Sequence, residues 1–350
     1  DRNLYDFART NPVMSTYSPG EDSTILSVAG RNNRFNNISI DGAVNNDVFG
    51  LAGSGTPGGQ TTAQPISLDA VQELQLVTSS YDVRQGGFTG GSLNVITKSG
   101  TNDLSGSVYG YYADDSFVSD NEDLGAIGTF DDTEYGFTLG GKILRDKLFF
   151  FVGYETRDLS QPTGWSLDGS GGTCYQNCGF TAQAEQLRQY MISTYQYDPG
   201  GTEQVTRETP NDKIFVRFDL NLNASNNLTL RHNYIDASNY IIRPSNSVYQ
   251  FPNNGYDFLN ETNSTVAQWN SVWGDGFFNE MRLTYQTIRD KRRSPTDPFP
   301  SITILNPDGN GNDWELGFEA FSTANSLDQD ILEITDDFTF FAGDHEIVIG

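Results

Sequence analysis

Two cysteines, Cys174 and Cys178, are the only thiols in the chain. They follow Gly171-Gly172 and precede a predicted helix over 181–195, inside the longest connection between predicted strands. In an oxidising compartment this spacing favours a local disulfide. A metal pair is the alternative, but neither a histidine nor a further cysteine lies nearby. Asp308, Asn310, Asn312 and Glu319 occupy positions 1, 3, 5 and 12 of a calcium-loop pattern. Asp313 stands where such loops place glycine, and no helices flank the segment, so an acidic, turn-rich loop is the competing reading. Gly53-x-Gly55-x-x-Gly58 matches a dinucleotide-binding pattern. It lacks the strand before and the helix after, and Pro57 removes a donor N–H, so it reads as a flexible loop. His232 and His345 are the only histidines; one falls in a predicted strand and the other at a turn. Neither a zinc spacing nor a G-x-S-x-G elbow occurs. The chain is therefore read as a non-enzyme, with calcium in a loop as the one candidate cofactor.

The elements that would position these groups are mainly β. The formal net charge is −25, and so acidic a surface repels phosphate backbones, which excludes nucleic acid as a partner. No apolar run is long enough for a transmembrane helix. A membrane strand needs only about 9–11 residues, apolar at every second position. The 17 Tyr, 23 Phe and 36 Gly suit aromatic girdles and tight turns, but they suit a soluble secreted β protein as well.

The chain changes character near residue 100. Residues 1–100 mix short apolar runs with Gly- and Asn-rich loops and read as a small mixed α/β domain. A helix is predicted around Leu4, Phe7 and Ala8, short strands at 27–29, 38–40, 73–78 and 92–98, the second ending at the turn signal Asp41-Gly42, and a capped turn from Ser67. Residues 101–350 read as nine long strands: 103–113, 133–144, 147–157, 212–223, 227–238, 264–273, 277–291, 327–341 and 345–350. Their connections alternate long and short, which a soluble sandwich does not require. An outer-membrane barrel does, because its periplasmic turns are short and its external loops long. Within 213–223, Ile214, Val216, Phe218, Leu220 and Leu222 oppose Lys213, Arg217, Asp219 and Asn221, with Phe215 as the exception. Met281, Leu283 and Tyr285 likewise oppose Glu280, Arg282, Thr284 and Gln286. Asp336 breaks the apolar face of Leu332, Ile334, Phe338 and Phe340; a bulge or an interfacial position would relieve it.

The segments Ser27-Val28-Ala29-Gly30-Arg31, Phe35-Asn36-Asn37-Ile38-Ser39-Ile40-Asp41-Gly42, Val71-Gln72-Glu73-Leu74-Gln75-Leu76-Val77 and Tyr81 through Gly100 resemble the plug of TonB-dependent receptors, in wording closest to the Oar-like branch. Lys147-Leu148-Phe149-Phe150-Phe151-Val152-Gly153-Tyr154-Glu155 resembles the start of the barrel in that branch. The resemblance implies a barrel of ~22 strands closed around a plug, set in the outer membrane of a Gram-negative cell. The chain would then be a segment: residues 1–100 most of the plug, and 101–350 the first part of the barrel. A TonB box would lie outside it. The implied function is energised uptake of an unidentified solute, with TonB, that solute and outer-membrane lipid as partners. A surface structural or adhesive role, or TonB-driven export, is the alternative. The loops 43–65 and 81–91 are the expected working parts. Arg84 is expected to pair with lumen carboxylates, and Gly86, Gly87, Gly90 and Gly91 are expected to lie close against the inner wall. The loops show no basic cluster, which disfavours strongly anionic solutes.

Overall fold

The computed structural model describes residues 4, 10–20, 23–49, 52, 54–78, 84, 86–118, 129–167, 173–174, 180–245, 247–274, 276–307, 309, 311–322 and 324–350. The first strands are β1 (Met14–Gly20), β2 (Ser23–Val28), β3 (Asn37–Ile40), β4 (Ala43–Val44), β5 (Val71–Val77) and β6 (Ser92–Thr97). β1 and β2 form a hairpin, and the other four a sheet of order β4-β3-β6-β5 in which β3 and β6 run parallel. The predicted turn at Ser67 is a 3-10 turn over Leu68–Ala70, and Ser67 Oγ accepts from the Asp69 amide as its cap. The helix expected near Leu4 falls, apart from Leu4 itself, outside the described residues.

From Ser105 onward the chain is an antiparallel meander. Its long strands are β7 (Ser105–Asp114), β8 (Asp131–Leu144), β9 (Leu148–Pro162), β13 (Asn211–Asn223), β14 (Asn226–Ile241), β16 (Tyr256–Trp273), β17 (Phe277–Arg293), β20 (Ser326–Ala342) and β21 (His345–Ile349). Shorter strands belong to the long loops: β10 (Trp165–Ser166), β11 (Thr173–Cys174), β12 (Thr206–Glu208), β15 (Val248–Gln250), β18 (Ile302–Ile304) and β19 (Asp313–Leu316). Every long strand pairs with the next in antiparallel register. The short turns therefore share one end of the wall and the long loops the other. Asp146, Gly274 and Gly343 take left-handed φ in those short turns, as tight hairpins need. The sheet is open, with β7 and β21 at its edges.

The alternation read from sequence is the alternation of the wall. Val108, Leu139, Phe218, Leu230, Leu283, Leu332 and Ile334 are exposed on the outer face, Val108 to 87%. Water would not tolerate such a belt, but lipid does. At the short-turn end, Trp273, Phe277, Phe338 and Phe340 cluster in stacked and tilted pairs with centroids 5.9–6.3 Å apart. Tyr135, Tyr154, Tyr234 and Tyr285 line the other margin of the belt. From Phe277 to Tyr285 is eight residues, or about 20 Å at ~3.3 Å per residue and ~40° tilt, close to the apolar band of an outer-membrane barrel. Several strands run past the tyrosines, further than the sequence pattern indicated; β16 begins at Tyr256 rather than near 264. Once a strand clears the lipid, both faces are polar and alternation no longer marks it. Asp336 sits in an unshifted register opposite Met281, so no bulge relieves it. It lies one step from the aromatic ring of the short-turn end and accepts from Asn279 Nδ2.

The long loops share a core of their own. Leu167, Ala184, Met191, Tyr197, Tyr249, Phe251, Trp314 and Leu316 are buried together. This core joins the helix α1 (Thr181–Tyr195), the sheet β15-β19-β18 and a stacked Tyr197–Phe299 pair with centroids 4.0 Å apart.

Candidate functional site

β3 ends at Ile40, and Asp41-Gly42 turns the chain into β4 with φ of 46° and 76°. Asp tolerates this region and Gly prefers it. The Asp41 carboxylate accepts from Thr97 N at 2.9 Å and Thr97 Oγ1 at 2.7 Å, which ties the turn to the end of β6. Three wall arginines meet this turn. Arg217 and Arg231 are direct cross-strand partners on β13 and β14, and Arg282 stands on β17. Arg231 Nε lies 3.3 Å and Arg217 Nη1 3.6 Å from Asp41 Oδ2. Arg217 Nη1 donates to Thr97 Oγ1 at 2.8 Å while its Nε and Nη2 hold Asp219. Arg231 Nη2 donates to the Ile40 carbonyl, and Arg282 Nη1 donates to the Gly42 carbonyl at 3.0 Å.

The glycine-rich loop is the second seat. A Cβ on Gly58 would fall 2.4 Å from Asn260 Cγ on β16. Asn239 Nδ2 donates to Gln60 O at 2.7 Å and Asn233 Nδ2 to Pro65 O at 2.9 Å. Further on, Ser67 Oγ donates to Glu155 Oε2 at 2.6 Å, and Lys213 Nζ and Tyr109 Oη hold the same carboxylate at 2.6 and 2.9 Å. In four of these bonds, from Arg231, Asn233, Asn239 and Arg282, a wall side chain donates to a backbone carbonyl of the first domain, whereas at Ser67 the first domain donates to the wall. Backbone carbonyls recur along any extended segment, so this contact depends on chain path more than on side-chain identity.

Apolar packing accompanies the polar seat. Phe151 and Phe215 belong to the same buried cluster as Leu4, Leu26, Ile38, Ile40, Ile66 and Val95. This explains why Phe215 broke the alternation: it faces the lumen and completes the core of the domain seated there. The seat is thus part dry and part polar, not the purely polar contact that mobility alone would suggest. Burying an aromatic ring of this size is worth roughly 3–5 kcal/mol against truncation to alanine.

Below the seat, toward the short turns, a cavity of about 890 Å³ opens between Arg84 and the wall residues Asp146, Asn221, Asn270, Glu280 and Asp337. Arg84 thus borders wall carboxylates. The glycines of its loop behave differently from the sequence expectation. A Cβ on Gly90 would meet Asn36 Oδ1 at 2.3 Å and one on Gly91 would meet Val28 Cγ1 at 2.6 Å, so both pack inside their own domain. Gly86 and Gly87 have nothing within 4 Å, and Gly87 alone of the four takes positive φ, 78°. The close approaches to the wall are instead at Gly42, Gly58 and Gly100. The Asp41-Gly42 turn was legible in sequence, but its wall partner was not.

Cys178 and the side chain of Cys174 lie outside the described residues, as do Asp308 and Asn310. Of the other calcium-loop members, Asn312 is buried, and Glu319 accepts from Ser322 Oγ and lies 3.7 Å from Arg292 Nη1. Asp313 Oδ1 accepts from the Asn306 amide at 3.0 Å. His232 faces outward, with Nδ1 2.9 Å from Thr265 Oγ1.

Residues 96–350 match the family described as outer membrane beta barrel domain. The chain belongs to that family. This outer-membrane barrel is 29% identical over 192 residues to the TonB-dependent transporter Oar of Myxococcus xanthus, a match covering 49% of the chain and 17% of the relative. Its fold is shared with the outer membrane transporter YddB from Escherichia coli (TM-score 0.65, 13% identity, 97% of this chain and 44% of that one). It is shared too with the ferric enterobactin receptor PfeA from Pseudomonas aeruginosa (TM-score 0.59, 14% identity, 97% and 44%). The barrel chain thus spans less than half the length of these relatives. Its place is the cell outer membrane.

Proposed function

We propose that this chain is the plug and first wall of a TonB-dependent transporter, which takes up a solute when TonB, energised from the inner membrane, pulls the plug from its seat. The observation that supports this most is the domain of residues 10–98 held on the lumen face by wall donors to its carbonyls. Such bonds can be released and remade without unfolding the wall. The likeness to Oar over half the chain supports the same reading.

A cross-link tests it. Asn260 Cγ lies 2.4 Å from the Cβ position of Gly58, so the two Cβ atoms are at most about 3.9 Å apart, inside the upper limit for a disulfide. In the native host, a deletion strain screened on single-solute media identifies the solute by its growth defect. The full-length gene carrying Gly58→Cys and Asn260→Cys should fail to restore growth when oxidised and should restore it with dithiothreitol. Normal growth with the cross-link verified by mass would refute plug movement. Growth independent of tonB would turn the reading toward the surface-structural role, for which the shared core of the loops is the supporting feature.

A further inference from the structure

Of the three arginines at the Asp41-Gly42 turn, two own a carboxylate on the wall. Arg217 has Asp219, and Arg282 has Glu280. Arg231 does not: the one carboxylate in ion-pair range of it, among the described residues, is Asp41 of the plug. Arg231 is 2% exposed. Its Nε faces Asp41 without hydrogen-bond alignment, and among the described residues Nε and Nη1 both lack a hydrogen-bond partner. The Asp41 oxygens are already engaged by Thr97. Arg282 Nε and Thr284 Oγ1 are also buried without hydrogen-bond partners among the described residues, and Thr284 shares the cross-strand row of Arg231 through Val266.

We infer that Arg231, flanked by Arg282 and Thr284, is an anion-binding position on the conduit wall, exposed when the Asp41-Gly42 turn withdraws, and that it takes a carboxylate or similar oxyanion carried by the solute. The inference rests on the plugged-conduit reading above. When the turn leaves, Arg231 loses both Asp41 and the Ile40 carbonyl. A guanidinium in a narrow lumen without a counter-charge is costly. Its planar fork of donors matches an oxyanion in geometry and in charge. A passing carboxylate therefore substitutes for Asp41, and the returning plug displaces it in turn.

The test is ion selectivity of the intact, full-length protein in planar bilayers, with the plug loosened reversibly by urea under a tenfold gradient of potassium acetate. Arg231→Gln should raise the potassium-to-acetate permeability ratio about twofold or more. Arg231→Lys should stay near the wild type. Arg145→Gln, which removes the same charge at an exposed short turn, should change the ratio far less. An unchanged ratio in Arg231→Gln, or a change equalled by Arg145→Gln, overturns the inference while leaving the plugged conduit standing. The absence of any urea-induced conductance overturns the conduit reading and this inference with it.

Discussion

Gly58→Ala and Asn260→Ala, made singly and together, should behave as a coupled pair. Gly58 holds φ at 66°, a region that costs a residue with Cβ about 1–2 kcal/mol. The new methyl also lands within 2.4–2.9 Å of all three amide atoms of Asn260. That amide is not free to give way, because its Nδ2 donates to Asp290 Oδ1 at 2.6 Å and its Oδ1 accepts from Thr262 Oγ1 at 3.2 Å. Displacing it breaks a hydrogen bond to a carboxylate, worth about 1.5–3 kcal/mol. Gly58→Ala alone should therefore loosen the loop by about 2.5–5 kcal/mol. Asn260→Ala alone loses a bond between two wall residues that exists whether the loop is seated or lifted, and should leave loop opening nearly unchanged. In the double variant the amide is already gone, so only the backbone strain of about 1–2 kcal/mol remains, less than in Gly58→Ala alone. The coupling is then about −1.5 to −3 kcal/mol. Amide hydrogen exchange over residues 54–62 in detergent-purified protein reads the opening free energy directly, at one decade of rate per ~1.4 kcal/mol. Strictly additive effects would refute the placement of this loop against β16.

Asp41→Asn removes the carboxylate facing Arg231, and breaking one partner of a buried pair costs about 3–5 kcal/mol. Cells carrying it should become sensitive to large antibiotics while heat-modifiable gel mobility shows an assembled barrel; an unchanged barrier would remove Asp41 from the seat. In the external loop module, Arg188 holds the Asp198 carboxyl below its ordinary range through paired bonds at 2.8 Å. A depressed folded pKa gives stability that is present above the unfolded value of about 3.9 and is lost as pH falls through the folded value. Protease nicking near the end of α1 should thus rise below about pH 4, and Asp198→Asn should remove that dependence. Cys174 and Cys178 should be bridged in protein isolated from the membrane; two thiols that alkylate without reduction, read by intact mass, would contradict the disulfide.

The sequence by itself determined the order and number of wall strands and, in 213–223 and 277–291, which face meets lipid. That information is local: a two-residue period and the length of each connection survive in one dimension. It determined the turn at Asp41-Gly42 and the cap at Ser67 for the same reason. Only the tertiary structure decided which glycines touch the wall. Gly58 and Gly90 look alike in a row of letters, yet one abuts Asn260, some 200 residues away, and the other Asn36 of its own domain. Phe215 read as an error of alternation until the plug core was seen to need it. The arginines read as lumen charges, because a strand pattern reports the face of a side chain and not its partner. That Arg231 alone depends on a plug carboxylate follows from three strands and a turn meeting in space, and pairings across such separations leave no trace in the period of any one strand.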